Sequence, residues 1–365
     1  MERSATTLLM PDGVRLAADV HRPAHGAGRA PLLLLHGTLV SRLDYRSFAP
    51  LLAAAWGGDV VVPDRRGRDA SLPQPANHSL LTEADDLDAM VAATGAAAVV
   101  GHSYGGTVTL LAAGRNPGAW TWATYDAALN PAGVLAAMWR PELRERLDAG
   151  DLDTTWALLV GGLRTAGPVS RLPGRVLARL GHVLAGHPGA GARMYAALPG
   201  SVRELESVLE LVAQPGNQRA SARLDSAAAD ASAQGDSAQP GPATGSRGAA
   251  GLHAASGSEG TAQGDDVHRD DAHSPGAAFE APPEEPFPLP ERGLMLNGAL
   301  SPSYFRDATR FAVAAHPGLE HGLVPWGMHN AVMLPAPVLA RRIARWCLEH
   351  PAVPPALPVP TTVVP

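Results

Sequence analysis

The residue best placed to do chemistry is Ser103, which stands in Gly101-His102-Ser103-Tyr104-Gly105, a G-x-S-x-G pattern. An apolar run at 96–100 precedes it and reads as a buried strand, and the run at 107–113 behind it reads as a helix. That context gives the pattern its meaning. A serine on a sharp strand-to-helix turn sits in strained backbone with its hydroxyl projecting outward, and glycines flank it because side chains there collide with neighbouring backbone. The helix that starts at once behind it aims its first amides at developing negative charge. Such a hydroxyl is suited to covalent attack on a carbonyl once a general base takes its proton.

The elements that hold this turn are those of an α/β domain. Residues 5–22 alternate in polarity around Pro11-Asp12-Gly13, as a β-hairpin does. At 31–36 the run through Leu32, Leu33, Leu34 and Leu35 is apolar without alternation, which suits a strand covered on both faces of a parallel sheet. Further strands are expected at 59–62, 96–100 and 120–125, with helix-length segments between the earlier ones, the βαβ rhythm of a mainly parallel sheet. From 131 to 214 the pattern turns helical, at 141–147, 176–184 and 202–212, and predicts a helical cap. Strand signals return at 293–297 and 322–326, followed by an amphipathic helix at 336–348. The core is thus expected in two parts, 1–130 and 287–350, split by the cap at 131–214 and by a tract at 215–286. That tract is rich in Ala, Gly, Ser, Asp, Gln and Pro and lacks the large apolar residues needed to offset ordering entropy, so it is expected to be disordered. Its Asp265, Asp266, His268, Asp270, Asp271 and His273 read as solvated polar residues, because ligands on a floppy segment make a poor metal site. A Pro-rich tail at 351–365 is expected to be extended.

The strand at 31–36 ends in His36-Gly37-Thr38, and together with the Ser103 turn this resembles the α/β-hydrolase family over roughly 5–130 and 287–350. The resemblance implies a mainly parallel eight-stranded sheet with helices on both faces and a helical cap. It implies an oxyanion hole built from the backbone amides of Thr38 and Tyr104; His36 is expected only to support the turn. The stretch from Asp64 through Arg65, Arg66 and Gly67 to Ser71 looks like the family's D-x-R-G-x-x-x-S loop, an architectural feature. Because the family orders its triad as serine, acid and histidine, the base is expected late in the chain, and His329 fits better than His316 or His321. The usual acid position, a few residues past the glycine of Leu296-Asn297-Gly298, is occupied here by Ser301. A hydroxyl cannot stabilise an imidazolium as a carboxylate does. Some members carry the acid one strand earlier, and Ala123-Thr124-Tyr125-Asp126 resembles their sequence there, so Asp126 is the expected acid and Asp307 the alternative.

These parts imply a serine hydrolase that cleaves an ester or related acyl bond of a small, hydrophobic molecule without a cofactor. Tyr104, Trp139 and Trp326 are candidates for the substrate pocket, with Met138, Trp156, Met194 and Tyr195 as further apolar wall or plain helix packing. A perhydrolase, lyase or acyltransferase on the same fold, or a binding protein that has lost its chemistry, remain alternatives.

Composition excludes other classes. All 29 basic residues are Arg, since the 365-residue chain has no Lys, which removes Walker-type phosphate loops, pyridoxal Schiff bases and Ser-Lys dyads. A net charge of -6 argues against nucleic acid as a partner. The single Cys347 has no partner for an intramolecular disulfide and reads as a small buried hydrophobe. With no secretory leader and no apolar run of spanning length, a cytoplasmic protein without a membrane partner is expected.

Overall fold

Apolar runs that do not alternate require cover on both faces, and the strands of this chain have it. The computed structural model describes residues 2–26, 28–71, 74–75, 78–130, 135, 139–140, 142–210 and 289–352. In chain order the strands are β1 (Glu2–Leu9), β2 (Arg15–Arg22), β3 (Arg29–Leu35), β4 (Gly58–Pro63), β5 (Ala98–His102), β6 (Thr121–Tyr125), β7 (Gly293–Gly298) and β8 (Leu319–Val324). They form one sheet in the order β1-β2-β4-β3-β5-β6-β7-β8. The β1 and β2 hairpin is antiparallel, β2 pairs antiparallel with β4, and every later pairing is parallel.

Alternate side chains enter separate cores, as the period of two requires. Leu33, Leu35, Val61 and Val99 pack toward α2 (Leu80–Thr94) and α3 (Tyr104–Arg115). Leu32, Leu34, Val60, Val62 and Val100 pack toward α1 (Ala49–Trp56) and the last helix. Between β6 and β7 the described chain is helical: α4 (Glu142–Asp148), α5 (Leu152–Leu163), α6 (Gly174–Ala185), α7 (Ala190–Ala196) and α8 (Leu198–Glu210). Two more helices, α9 (Ser303–Ala315) and α10 (Pro337–Glu349), flank and follow β8. Cys347 is buried in α10, where burial pushes its thiol up to about 12.

The last strand departs from expectation. It runs over Leu319–Val324, three residues before the predicted start, and is held to β7 in register from Gly293↔Leu319 to Gly298↔Val324. It stops there because Pro325 brings no N–H to the ladder and Trp326 turns into left-handed backbone at φ 60°. His321 therefore lies inside the strand and not ahead of it. The polar tract at 215–286, with its Asp and His cluster, and all but two residues of the 351–365 tail lie outside the described residues.

The loop after β4 carries a buried charge cluster. Arg65 donates from Nη1 to Glu83 at 2.6 Å and to Glu204 at 2.8 Å, from Nη2 to the Gly37 carbonyl at 3.0 Å, and from Nε to the His36 carbonyl at 3.1 Å. Arg68 reaches Glu204 at 2.6 Å. Glu83 belongs to α2 and Glu204 to α8, so the arginines join the sheet, its flanking helix and the cap. Burial opposes the charge on Glu83, but Arg65 and then His78 outweigh it and draw its carboxyl from 4.5 down to about 2. A depressed carboxylate contributes stability that is present above its unfolded pKa and lost as pH falls toward the folded value. Unfolding free energy is therefore expected to drop further between pH 5 and pH 2 in the wild type than in Glu83→Gln. Denaturant melts across that range check it, and equal slopes for the two proteins would refute the assignment.

Candidate active site

Sheet register brings the candidate residues together. His102 at the end of β5 stands opposite Tyr125 at the end of β6, so Ser103 and Asp126 are the first residues past the ends of adjacent strands. Tyr125 in turn is opposite Leu296, which puts Asn297 and Gly298 beside Asp126. The site thus opens at the carboxyl ends of the parallel strands, where loops can converge over a ligand.

Ser103 adopts φ 53° and ψ −123°, a backbone costly for a residue with a side chain, and caps α3. The turn is tight enough to require its glycines. A Cβ on Gly105 would stand 2.5 Å from the His36 carbonyl oxygen, and one on Gly101 would run into Thr109 and the Gly105 carbonyl. Tyr104 opens α3, so its amide has no acceptor within the helix, and neither it nor the amide of Thr38 has a hydrogen-bond partner among the described residues. The buried Thr38 hydroxyl also lacks one among the described residues.

Asp126 is fully buried at φ 48°, and both of its carboxylate oxygens are used. Oδ1 accepts from Asn297 Nδ2 and the Gly298 amide, each at 3.1 Å. Oδ2 accepts from Ser301 Oγ at 2.6 Å and from His329 Nδ1 at 3.2 Å. Burial works against its charge, yet the contacts with His329, Ser301 and Asn297 outweigh it and hold the carboxyl below the usual carboxylate range. Ser301, which stands where the resemblance implied an acid, is thus a donor to the Asp126 carboxylate. Because the carboxylate only accepts, His329 donates from Nδ1 and leaves Nε2 as its acceptor nitrogen. Phe305 of α9 stacks on the His329 ring at 4.5 Å and 11°. Asp307 lies farther along α9, half exposed and 3.5 Å from Arg310, away from this cluster.

Two further residues hold the site, and nothing in their spacing announced them. His102, the first x of G-x-S-x-G, is buried with its ring 4.6 Å from that of His329. Its Nε2 lies 2.8 Å from the His329 carbonyl, which only accepts, so Nε2 carries the proton and Nδ1 accepts from the Tyr45 hydroxyl at 2.5 Å. The Tyr45 oxygen accepts the Gly37 amide at 3.1 Å. Burial, and then His329, push His102 down to about 3, which keeps it neutral in this chain of bonds. The chain ties the Gly37-Thr38 loop to the His329 loop beneath the cavity. His36 is likewise buried and fixed, accepting the Arg65 amide at Nε2 and facing its neighbouring carbonyl with Nδ1.

Ser103, Thr38, His102 and His329 line a cavity of about 390 Å³ whose remaining walls come mainly from the cap and α9. Trp156, Leu180, Met194, Leu205 and Phe305 are among those walls, and no Asp, Glu or Arg lines it among the described residues. Of the expected pocket residues, Trp156 and Met194 line it, but Tyr104, Trp139, Trp326 and Tyr195 do not. Trp326 points to solvent at 83% exposure because its left-handed turn carries it off the end of the sheet. The Tyr104 ring packs away from the cavity under the Arg65 guanidinium at 4.7 Å, since its helix presents only the amide to the opening. Trp139 is half-buried against the hydrophobic core and Tyr195 stacks beside Trp156, while Met138 lies outside the described residues.

Comparison with known proteins agrees with this architecture. A family model for the alpha/beta hydrolase fold matches residues 30–155. The chain is 29% identical over 97 residues to a probable alcohol acetyltransferase of Saccharomyces cerevisiae, a match that covers 25% of this chain and 28% of that protein. It therefore spans little more than a quarter of that relative's length. An alpha/beta hydrolase from Sphaerobacter thermophilus superposes with a TM-score of 0.53 at 20% identity, over 92% of this chain and 98% of that one. An epoxide hydrolase superposes with a TM-score of 0.52 at 15% identity, over 95% and 99%. With its elbow, its strand order and its helical insertion after β6, the chain has the alpha/beta hydrolase fold. Among the described residues no helix is long and apolar enough to cross a membrane.

Proposed function

We propose that this protein is a serine hydrolase of uncharged, apolar carboxylic esters, with Ser103 as nucleophile, His329 as general base and Asp126 as the acid of the triad. The observation that carries the reading is the Asp126 contact to His329 Nδ1, which leaves Nε2 free to act in a cavity that Ser103 also lines. His329 Nε2 takes the Ser103 proton as Oγ bonds to the ester carbon, and the carbonyl electron pair moves onto its oxygen. The amides of Thr38 and Tyr104 receive that oxyanion. Collapse expels the alcohol, protonated by His329, and leaves an acyl group on Ser103. A water molecule, deprotonated by His329, attacks the acyl carbon; a second collapse releases the acid and restores the serine. Walls without ionised side chains favour a substrate without charge, because a charge brought there would lose its water and gain no partner.

A fluorophosphonate probe tests the reading. It is expected to label Ser103 stoichiometrically in the folded protein, with parallel loss of nitrophenyl-ester hydrolysis; a folded protein that resists the probe would favour a binding protein instead. Acyl transfer to an alcohol is the second reading, favoured by the apolar cavity and by the yeast relative's name. Product analysis in the same assay with added butanol separates the two, since a transferase releases butyl ester in preference to free acid.

A further inference from the structure

The cap carries a one-sided charge pattern. Residues 154–203 contain six arginines and no Asp or Glu, in a chain whose net charge is -6. Arg193 pairs with Asp44, and Arg203 bonds Gln74. Arg164, Arg171, Arg175 and Arg179 are exposed and make no ion pair among the described residues. Apolar side chains stand exposed among them. Val176 and Val183 of α6 are 40% and 55% exposed, although Leu177 and Gly181 of the same helix are buried. Helical spacing sets Val176, Leu180 and Val183 along one stripe and Arg175, Arg179 and His182 along the stripe beside it. Leu180 lines the Ser103 cavity, and Val169 and Leu184 both line it and remain 39% and 38% exposed. The exposed apolar surface therefore runs over the rim and into the cavity.

We propose that this face of the cap docks on an anionic lipid–water interface, from which uncharged ester enters the cavity; the nature of the cargo rests on the serine-hydrolase reading above. A helix lying in such an interface buries its apolar stripe at the headgroup boundary and sets its cations against phosphates. Arginine suits that place, since its weakly hydrated fork pairs with phosphate oxygens. A second copy of the chain is a poor occupant, because a two-fold contact would oppose the same unpaired arginines. The absence of a spanning run, which set the expectation of no membrane partner, does not bear on attachment by a helix lying in the surface.

Sedimentation of the full chain with large unilamellar vesicles tests the proposal, comparing an equimolar mixture of phosphatidylglycerol and phosphatidylcholine with pure phosphatidylcholine. The protein is expected to pellet with the anionic vesicles and to be released by salt. An Arg175→Ala, Arg179→Ala double variant is expected to partition roughly 30-fold more weakly, each arginine near an anionic surface contributing about fivefold. Val176→Asp with Val183→Asp is expected to abolish pelleting. All these positions are exposed, so both variants are expected to keep the wild-type melting temperature and soluble-ester turnover. No pelleting of the wild type, pelleting indifferent to both double variants, or a wild-type dimer dispersed by Val176→Asp would overturn the proposal. Vesicle binding with the expected variant pattern, in a protein inert toward soluble esters, would uphold the docking and remove the catalytic reading alone.

Discussion

Ser103→Ala is expected to lower kcat for a short-chain nitrophenyl ester by about a million-fold, because without the hydroxyl no acyl intermediate forms and water must attack unaided. Substrate binding is expected to change little, since most of the cavity wall is made of cap and α9 side chains that the substitution does not touch. The residual rate should still exceed that of ester in buffer, because the amides of Thr38 and Tyr104 remain in place to receive an oxyanion. His329→Ala is expected to match the loss, and the double variant to be no worse than either single one, as for groups that act as one unit. Steady-state kinetics on folded variants decide the point. A fall in kcat of less than about a hundredfold for Ser103→Ala would take the nucleophile's role away from it.

Asp126→Asn is expected to cost about ten thousandfold in kcat. The reason lies in the four donors that meet this carboxylate. Asn297 and the Gly298 amide fix Oδ1, so a carboxamide there keeps its oxygen toward them and turns its NH2 toward Ser301 and His329. His329 must then accept at Nδ1 and carry its proton on Nε2, the tautomer that has no lone pair for the serine proton. Asp307→Asn is the matched control and is expected to leave the rate unchanged, because that carboxylate is half exposed and lies against Arg310. Should Asp307→Asn instead cripple the enzyme while Asp126→Asn spares it, the acid has been misplaced.

The parts of this site that were legible in the sequence are those fixed by local backbone. Ser103 could be read because a buried strand, a glycine-flanked turn and a helix follow one another along the chain, and each leaves a local pattern. The strands at 31–36 and 96–100 could be read because cover on both faces leaves an unbroken apolar run. The place of Asp126 beside His329 was reachable only through resemblance, since a carboxylate at a strand end has no spacing of its own. The contacts that reach across the chain were not legible. Tyr45 and His102 are 57 residues apart, and only the folded sheet brings the phenol and the imidazole together. The aromatic residues near Ser103 and His329 misled for the same reason: neighbours in sequence share a loop, but backbone geometry sends the Tyr104 ring and the Trp326 ring away from the cavity to which the loop belongs.

The carboxylate that α8 lends to Arg65 and Arg68 means that the cap is not an interchangeable module. Grafting a foreign cap onto this sheet without an acid at the place of Glu204 would strand the Arg68 guanidinium in a dry interior and leave Arg65, which also grips the carbonyls of His36 and Gly37, with Glu83 as its one carboxylate among the described residues. The chain's freedom to diversify its cap therefore lies in the helices distant from α8, while α8 itself is bound to the sheet by electrostatic necessity.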